Sequence, residues 1–243
     1  LKANNIFNSE IIMPAYTCTV VAHAITKSGN NPVFIDIDLN NYNMLLNEVD
    51  KKINSKTRAV IATHLFGYAL DMKKLLNIIS KNEDKYGHKI WLIEDCAHSF
   101  GAYIDKDIVG SFGDAALYGL NISKLITSVN GGILTVNDTK LAEKIMTWRD
   151  KNLKKATIIK SLKRRIYLFL AYFAFKKIFY KYVYFLQNKT NLLKQLTDKY
   201  HLDDKIRFPP DAFDLLTDFE ASVGLSQLQK YDEIFCLYLR IPK

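Results

Sequence analysis

The sequence predicts an α/β fold, a mixed and mostly parallel sheet sandwiched by helices. Three observations predict it. Short β-branched runs alternate with helical periodicity from residue 11 to about 150. After Asp95 the runs shorten and are divided by Gly and Asp turns. The chain has 243 residues, 49% hydrophobic and 24% charged, which suffices for a large core.

The elements follow in order. "EIIMP" reads as a strand and residues 19–28 as a helix; "PVFIDID" is followed by a helix over 45–53, and "RAVIATH" by one over 70–82. "KIWLIED" is the next strand. Strands alternating with helices of this length return the chain to the same sheet edge, which argues for parallel pairing. "GAYI", "DIVGS", "DAALYGL" and "GILTVND" read as successive shorter strands, and a helix is expected from Thr139 to Asp150. From about Phe213 an amphipathic helix, "DLLTDFEASVGLSQLQKYDEIFCLYLR", is expected. The composition divides the chain into 1–150, a large domain; 151–205, a basic aromatic helical insertion; and 206–243, a helix leading towards a further domain.

The net charge of +9 does not describe the whole chain. Residues 151–199 hold 13 Lys plus Arg against the single acid Asp198, and the remainder, 21 basic against 24 acidic residues, sums to −3. Within the insertion, "KSLKRRIYLFLAYFAFKKIFYKYVYFLQNK" has ten aromatics between Tyr167 and Phe185. Its charge-free run from Ile166 to Phe175 would be about 15 Å long as a helix, half a bilayer core, so it does not span. The expectation is a helical hairpin packed on the rest of the protein or on a dimer mate. The other reading of 158–187 is contact with an anionic membrane surface through Lys163, Arg164 and Arg165. No nucleic-acid motif accompanies the charge.

Cys18, Cys96 and Cys236 are odd in number and fit no metal-ligand spacing, so neither a disulfide framework nor a metal is expected, and a reducing cytoplasmic setting fits. No apolar leader precedes the first strand, and Leu1 points to a start codon upstream.

Two features carry chemistry. "WLIEDCAHSFGA", residues 91–102, delivers Glu94 and Asp95 at the carboxyl end of a strand, where ligands sit in open α/β sheets. An acid there also caps turns in many proteins. In "YGLNISKLITSVNGG", residues 118–132, Lys124 ends an apolar run. A lysine so placed is a solvated charge or, if desolvated, a candidate nucleophile.

Taken together with "MPAYTCTVVAHAI", "NPVFIDIDLNNYNM", "RAVIATHLFGYALDM", "IEDCAHSFGA", "VGSFGDAALYGLNISKLITSVNGGILTVND" and "ASVGLSQLQKYDE", these stretches resemble the DegT/DnrJ/StrS family of sugar aminotransferases. The step of ten residues from Asp114 to Lys124, and of seven and eight to Gly131 and Gly132, matches the family pattern around its Schiff-base lysine. The resemblance implies the large domain of a PLP-dependent transferase of the aspartate-aminotransferase type, with pyridoxal 5'-phosphate as cofactor. It implies that Lys124 carries the cofactor and moves protons as base and acid, and that Asp95 pairs with the pyridine nitrogen. Ala97 would let the ring lie flat, His98 would stand beside the phenolic oxygen, and Asn121 would help hold the phosphate. Thr17, His64 and the "LFG" after it match fold and cleft positions, with His64 read as a group fixing a strand-end turn; His23, His88 and His201 carry no signal.

The implied function is transamination of a keto sugar, nucleotide-linked, to an amino sugar for polysaccharide, lipopolysaccharide or secondary-metabolite synthesis. Glutamate is the implied donor and a homodimer the implied assembly, cytoplasmic, with peripheral contact at the inner membrane face as a further expectation. Lys124 speaks against sugar dehydration, which goes with histidine at that position. The chain departs from the pattern in four places. Gly119 replaces a phosphate-binding serine, Cys18 replaces a ring-stacking aromatic, and "FDLLTDFE" replaces an Asn and Arg that reach a neighbouring subunit. An N-terminal phosphate-binding turn and a C-terminal small domain are the fourth, so the chain is a piece of a longer protein or a shortened product. The rival reading is an inactive paralogue serving as an interaction or membrane-surface module.

Overall fold

The computed structural model describes residues 1–174, 176–189 and 211–239. A six-stranded sheet runs in the order β2-β1-β3-β4-β7-β8. Its strands are β1 (Glu10–Pro14), β2 (Asn31–Ile35), β3 (Thr57–Thr63), β4 (Trp91–Asp95), β7 (Ala115–Gly119) and β8 (Gly132–Val136). All pairings are parallel except β7 with β8. The fold is therefore the mixed, mostly parallel α/β sheet that the alternation predicts.

Helices cover both faces. Leu46 and Val49 of α2 (Leu46–Lys52), with Met72, Leu75 and Ile79 of α3 (Met72–Tyr86), pack on Ile12, Val60 and Leu92. On the other face Ile25 of α1 (Thr19–Lys27) closes over Ile11, Met13, Ala59 and Ile61. Each fully buried aliphatic side chain here is worth about 2 kcal/mol of transfer free energy. Side chains of a strand alternate between faces, so Ile11 and Ile12 serve opposite cores. Helix ends are locally encoded. Asp71 accepts from Lys74 N at 2.9 Å to start α3, and Gly87, at φ 67°, ends it. Asp138 accepts from Leu141 N at 2.6 Å to start α4 (Thr139–Asn152).

Two expectations are corrected. β5 (Tyr103–Ile104) and β6 (Asp107–Ile108) form a separate antiparallel hairpin instead of joining the main sheet. Asp105 turns that hairpin at φ 56°. The loop after it is held by Glu94, so the chain reaches β7 without extending the sheet edge. The C-terminal helix is two helices, α7 (Asp218–Gln229) and α8 (Tyr231–Leu239), broken at Lys230. Thr217 and Glu220 form a reciprocal capping box at the start of α7.

The stretch between carries α5 (Ile158–Ala174) and α6 (Lys177–Lys189). Positions 190–205 of the expected insertion, His201 among them, and 206–210 and 240–243 of the expected final segment lie outside the described residues. No described helix is long and apolar enough to cross a membrane.

Candidate active site

The carboxyl ends of β3, β4 and β7 lie side by side, and the candidate residues gather there. Thr63 pairs in register with Asp95, and Asp95 with Leu117. Asp95 is 8% exposed. Its Oδ1 accepts from Ala97 N at 3.1 Å, while Thr63 Oγ1 stands 3.5 Å from Oδ2. That second contact is long, so Oδ2 keeps capacity for a strong donor.

Lys124 is half-buried on the loop after β7. A Cβ added at Gly119 would stand 3.3 Å from Ala97 Cβ and 3.6 Å from Lys124 Cε, so the lysine stem lies across the floor formed by these two small residues. The loop closes on itself through Leu120 N to Gly131 O and Ser128 N to Leu120 O, both 2.8 Å. Val129 holds φ at 73°, an unfavourable conformation for a β-branched residue. Two contacts from α7 and the chain before it brace the loop. A Cβ on Gly224 would approach Ser128 Cβ to 3.1 Å, and one on Gly131 would run into Leu216 Cδ2. Gly224 thus lets α7 come close to the lysine loop, a physical reason for the glycine inside "ASVGLSQL".

His98 is exposed beside these groups. Burial of part of the ring pushes its pKa below the usual range, the Lys124 charge lowers it further, and Asp95 opposes both. The depressed value means the folded protein prefers neutral His98. This part of the stability is complete above the unfolded histidine value of about 6.5 and is lost as pH falls from there through the folded value. Lys124→Ala is expected to move the His98 midpoint upward in an NMR pH titration; a midpoint that does not move would separate the two side chains electrostatically.

Glu94, on the other face of β4, organises the surroundings. It is fully buried. Oε1 accepts from Phe112 N at 2.8 Å and Gly113 N at 2.6 Å, and Oε2 from Gly110 N at 2.8 Å. His64 Nδ1 accepts from Leu70 N at 3.1 Å, which leaves Nε2–H to donate to Glu94 Oε2 at 3.2 Å. His64 thereby fixes the turn from 64 to 70. Burial alone would raise the Glu94 pKa, but the bonds from His64, Gly113 and Gly110 together hold it below the usual range. Cys96 Sγ lies within 4.8 Å of the His64 and Glu94 ligand atoms. Burial, then the charge of Glu94, pushes this thiol up to about 12, while hydrogen bonding with Ser99 opposes the rise. Cys18 and Cys236 are exposed, and all three cysteines are free.

A model of the DegT/DnrJ/EryC1/StrS aminotransferase family matches residues 1–169. The chain belongs to this family. The GDP-perosamine synthase of Vibrio cholerae is 32% identical over 142 residues, 58% of this chain and 37% of that protein. The dTDP-3-amino-3,6-dideoxy-alpha-D-galactopyranose transaminase of Aneurinibacillus thermoaerophilus is 37% identical over 142 residues, 58% of this chain and 38% of that protein. The chain therefore spans less than two-fifths of the length of these relatives. The crystallised aminotransferase of Psychrobacter cryohalolentis shares the fold, with a TM-score of 0.64 at 22% identity over 96% of this chain and 49% of that one.

In this DegT/DnrJ/EryC1/StrS chain the remaining expected site residues are arranged less tightly. Asn121 is exposed, and its Oδ1 accepts from Ser123 N at 3.2 Å and Ser123 Oγ at 2.7 Å, so the oxygen serves the loop and the amide nitrogen is left for an acceptor. Cys18 is exposed at the N-cap of α1, beyond the carboxyl end of β1. Sequence reading missed Thr63 and Tyr42; Phe66, within the "LFG" already expected at the cleft, gathers an aromatic group at the mouth. Phe66 lies 5.7 Å from His98 between centroids, 5.8 Å from Tyr42 and 6.4 Å from Tyr16. Phe66 and Tyr42 both hold positive φ, 53° and 61°. The signal available for Phe66 is its place between His64 and Gly67; nothing in the sequence pairs it with Tyr42.

Proposed function

We propose that this protein is a pyridoxal-phosphate-dependent transaminase that converts a keto sugar, carried on a nucleotide, to an amino sugar, with glutamate as donor. The names of the two relatives support a nucleotide-linked sugar, and the family supports amino transfer. A cytoplasmic homodimer is part of the same reading. The observation that carries it is the half-buried Lys124 stem lying over Gly119 and Ala97, with the buried Asp95 carboxylate accepting from Ala97 N.

The donor set fits the cofactor. Asp95 Oδ2 is a buried anionic acceptor with a lone pair to spare, suited to a protonated ring nitrogen. Gly119 and Ala97 offer a flat floor that a larger side chain would fill. Lys124 supplies the only kind of side chain that can both hold a carbonyl carbon covalently and shuttle a proton. When bound, pyridoxal phosphate supplies an electron sink for the substrate carbanion. Asp95 would keep the ring nitrogen protonated. Lys124 Nζ would move the proton between the substrate carbon and the cofactor, as base and then as acid. His98 would orient the ring's oxygen substituent, and the Asn121 amide would donate to the phosphate. Gly119 withholds a hydroxyl that would add a further phosphate contact, and Cys18 takes the place of a stacking ring.

The test is spectroscopic. Full-length protein mixed with pyridoxal phosphate should develop a near-visible absorption band that Lys124→Ala abolishes. A wild-type protein without the band would sink the transaminase reading and leave the non-catalytic paralogue.

A further inference from the structure

α5 is turned inside out. Ile158, Leu162, Ile166, Phe169 and Phe173 recur every three or four residues and so share one face. That face points away from the protein, with relative exposures of 89%, 57%, 50%, 63% and 38%. The opposite face holds Lys160 and Arg164, with side chains only 12% and 23% exposed. These cations meet the acids around α7. Arg164 lies 2.6 Å from Asp211 and 2.9 Å from Glu220, and Lys160 lies 3.7 Å from Asp214. An ordinary surface helix does the reverse, burying its apolar stripe and solvating its charges. α6 continues the outward apolar surface with Ile178, Phe179, Tyr180, Tyr182, Tyr184 and Phe185 exposed.

Charge decides what covers this surface. From residue 158 to 189 there are eight Lys and Arg and no acid. Lys163 and Arg165 fall on the two sides of the apolar stripe of α5, and Lys177 and Lys181 stand exposed on α6. A second copy using this face symmetrically would set basic residues against basic residues with no acid in either segment. A water-facing patch of this size marks an interaction site. Apolar and tyrosine side chains flanked by cations on flexible stems suit a surface that is apolar beneath and anionic on top. We propose that α5 and α6 lie on an anionic phospholipid bilayer, with Ile158, Leu162, Ile166 and Phe169 at the acyl boundary and Lys163 and Lys177 among the phosphates, while Arg165 stays stacked over Phe219, 5.2 Å from its ring centre. The ion pairs of Arg164 and Lys160 tether α5 to Glu220 of α7 and to Asp211 and Asp214 just before it. The inference stands on α5 and α6 alone and does not require the transaminase reading.

The full chain is floated with vesicles of phosphatidylcholine alone and with vesicles containing phosphatidylglycerol. Flotation is expected with the anionic vesicles only. Lys163→Gln with Lys177→Gln is expected to weaken partitioning about thirtyfold, since each cation near such a surface counts for roughly fivefold. Ile166→Ser with Phe169→Ser is expected to weaken it about a hundredfold. All four positions are exposed, so thermal unfolding should not shift in either variant. Phe169→Trp reports on the occupant. Its added fluorescence should be red and water-exposed without lipid, and blue-shifted with anionic vesicles. No flotation, or equal flotation with both vesicle types, overturns the proposal. So does Phe169→Trp emission that is already blue-shifted without lipid, which would assign the face to a second copy or to another part of the chain, residues 190–210 included.

Discussion

Asp95→Asn is expected to lower the rate of amino transfer about a hundredfold while leaving the fold in place. Asparagine keeps the shape of the aspartate and the bond from Ala97 N, which needs only an oxygen. It removes the charge on Oδ2, the atom left without a short partner. A hydrogen bond to a charged group is worth about 1.5 to 3 kcal/mol more than none, and each 1.4 kcal/mol in the barrier is tenfold in rate. The measurement is turnover of the full-length protein at saturating pyridoxal phosphate, beside its melting temperature. Activity within about twofold of wild type, with cofactor bound, would remove Asp95 from its assigned role.

Glu94→Gln should produce the largest loss of stability, about 4 kcal/mol. The carboxylate accepts three backbone N–H groups and His64 Nε2–H in a fully buried site. A glutamine has one acceptor oxygen, and its NH2 would face donors. At least two buried donors lose their partner, at about 1 to 3 kcal/mol each. For a chain of this size the expected fall in melting temperature is about 10 °C. The same bonds make stability depend on pH. Because the folded pKa of Glu94 is depressed, its contribution is complete above the unfolded glutamate value of about 4.3 and is lost as pH falls through the folded value. The variant should therefore lose part of the acid sensitivity of the wild type, and parallel acid-denaturation curves for the two would refute the assignment.

Much of this architecture was legible in the linear pattern. Periods of two and of 3.6 are properties of neighbouring residues, so β1 falls at Glu10–Pro14 where "EIIMP" places it, and α4 begins at Thr139 after its Asp138 cap. The step from Asp114 to Lys124 and on to Gly132 marked the lysine loop through its resemblance to the family pattern, whereas the positive φ of Val129 within that loop had no signal in its residue type. The break at Lys230 was not legible. "LQKYDEIF" is a good helical sequence, and α8 starts anew because Tyr231 leaves the axis to pack on Phe100, 5.7 Å away, and against Gly101. Glu94 likewise read as a second acid at a strand end, with no sign that the loop from Gly110 to Gly113 would fold onto it.

By itself, then, the sequence determined the order of strands and helices, the family, and the lysine and aspartate on which the proposed chemistry depends. Tertiary structure decided which strands are neighbours, and hence that β4 and β7 bring Asp95, Ala97, Gly119 and Lys124 to one edge. It also decided that Phe66 stands over His98, and that the apolar side of α5 faces outward. The division has one physical reason. Periodicity and turn chemistry are set by residues a few positions apart, whereas the partner of a face or a carboxylate is set by contacts between segments far apart in the chain. The acids that turn α5 around lie some fifty residues after the cations they bind, at Asp211, Asp214 and Glu220.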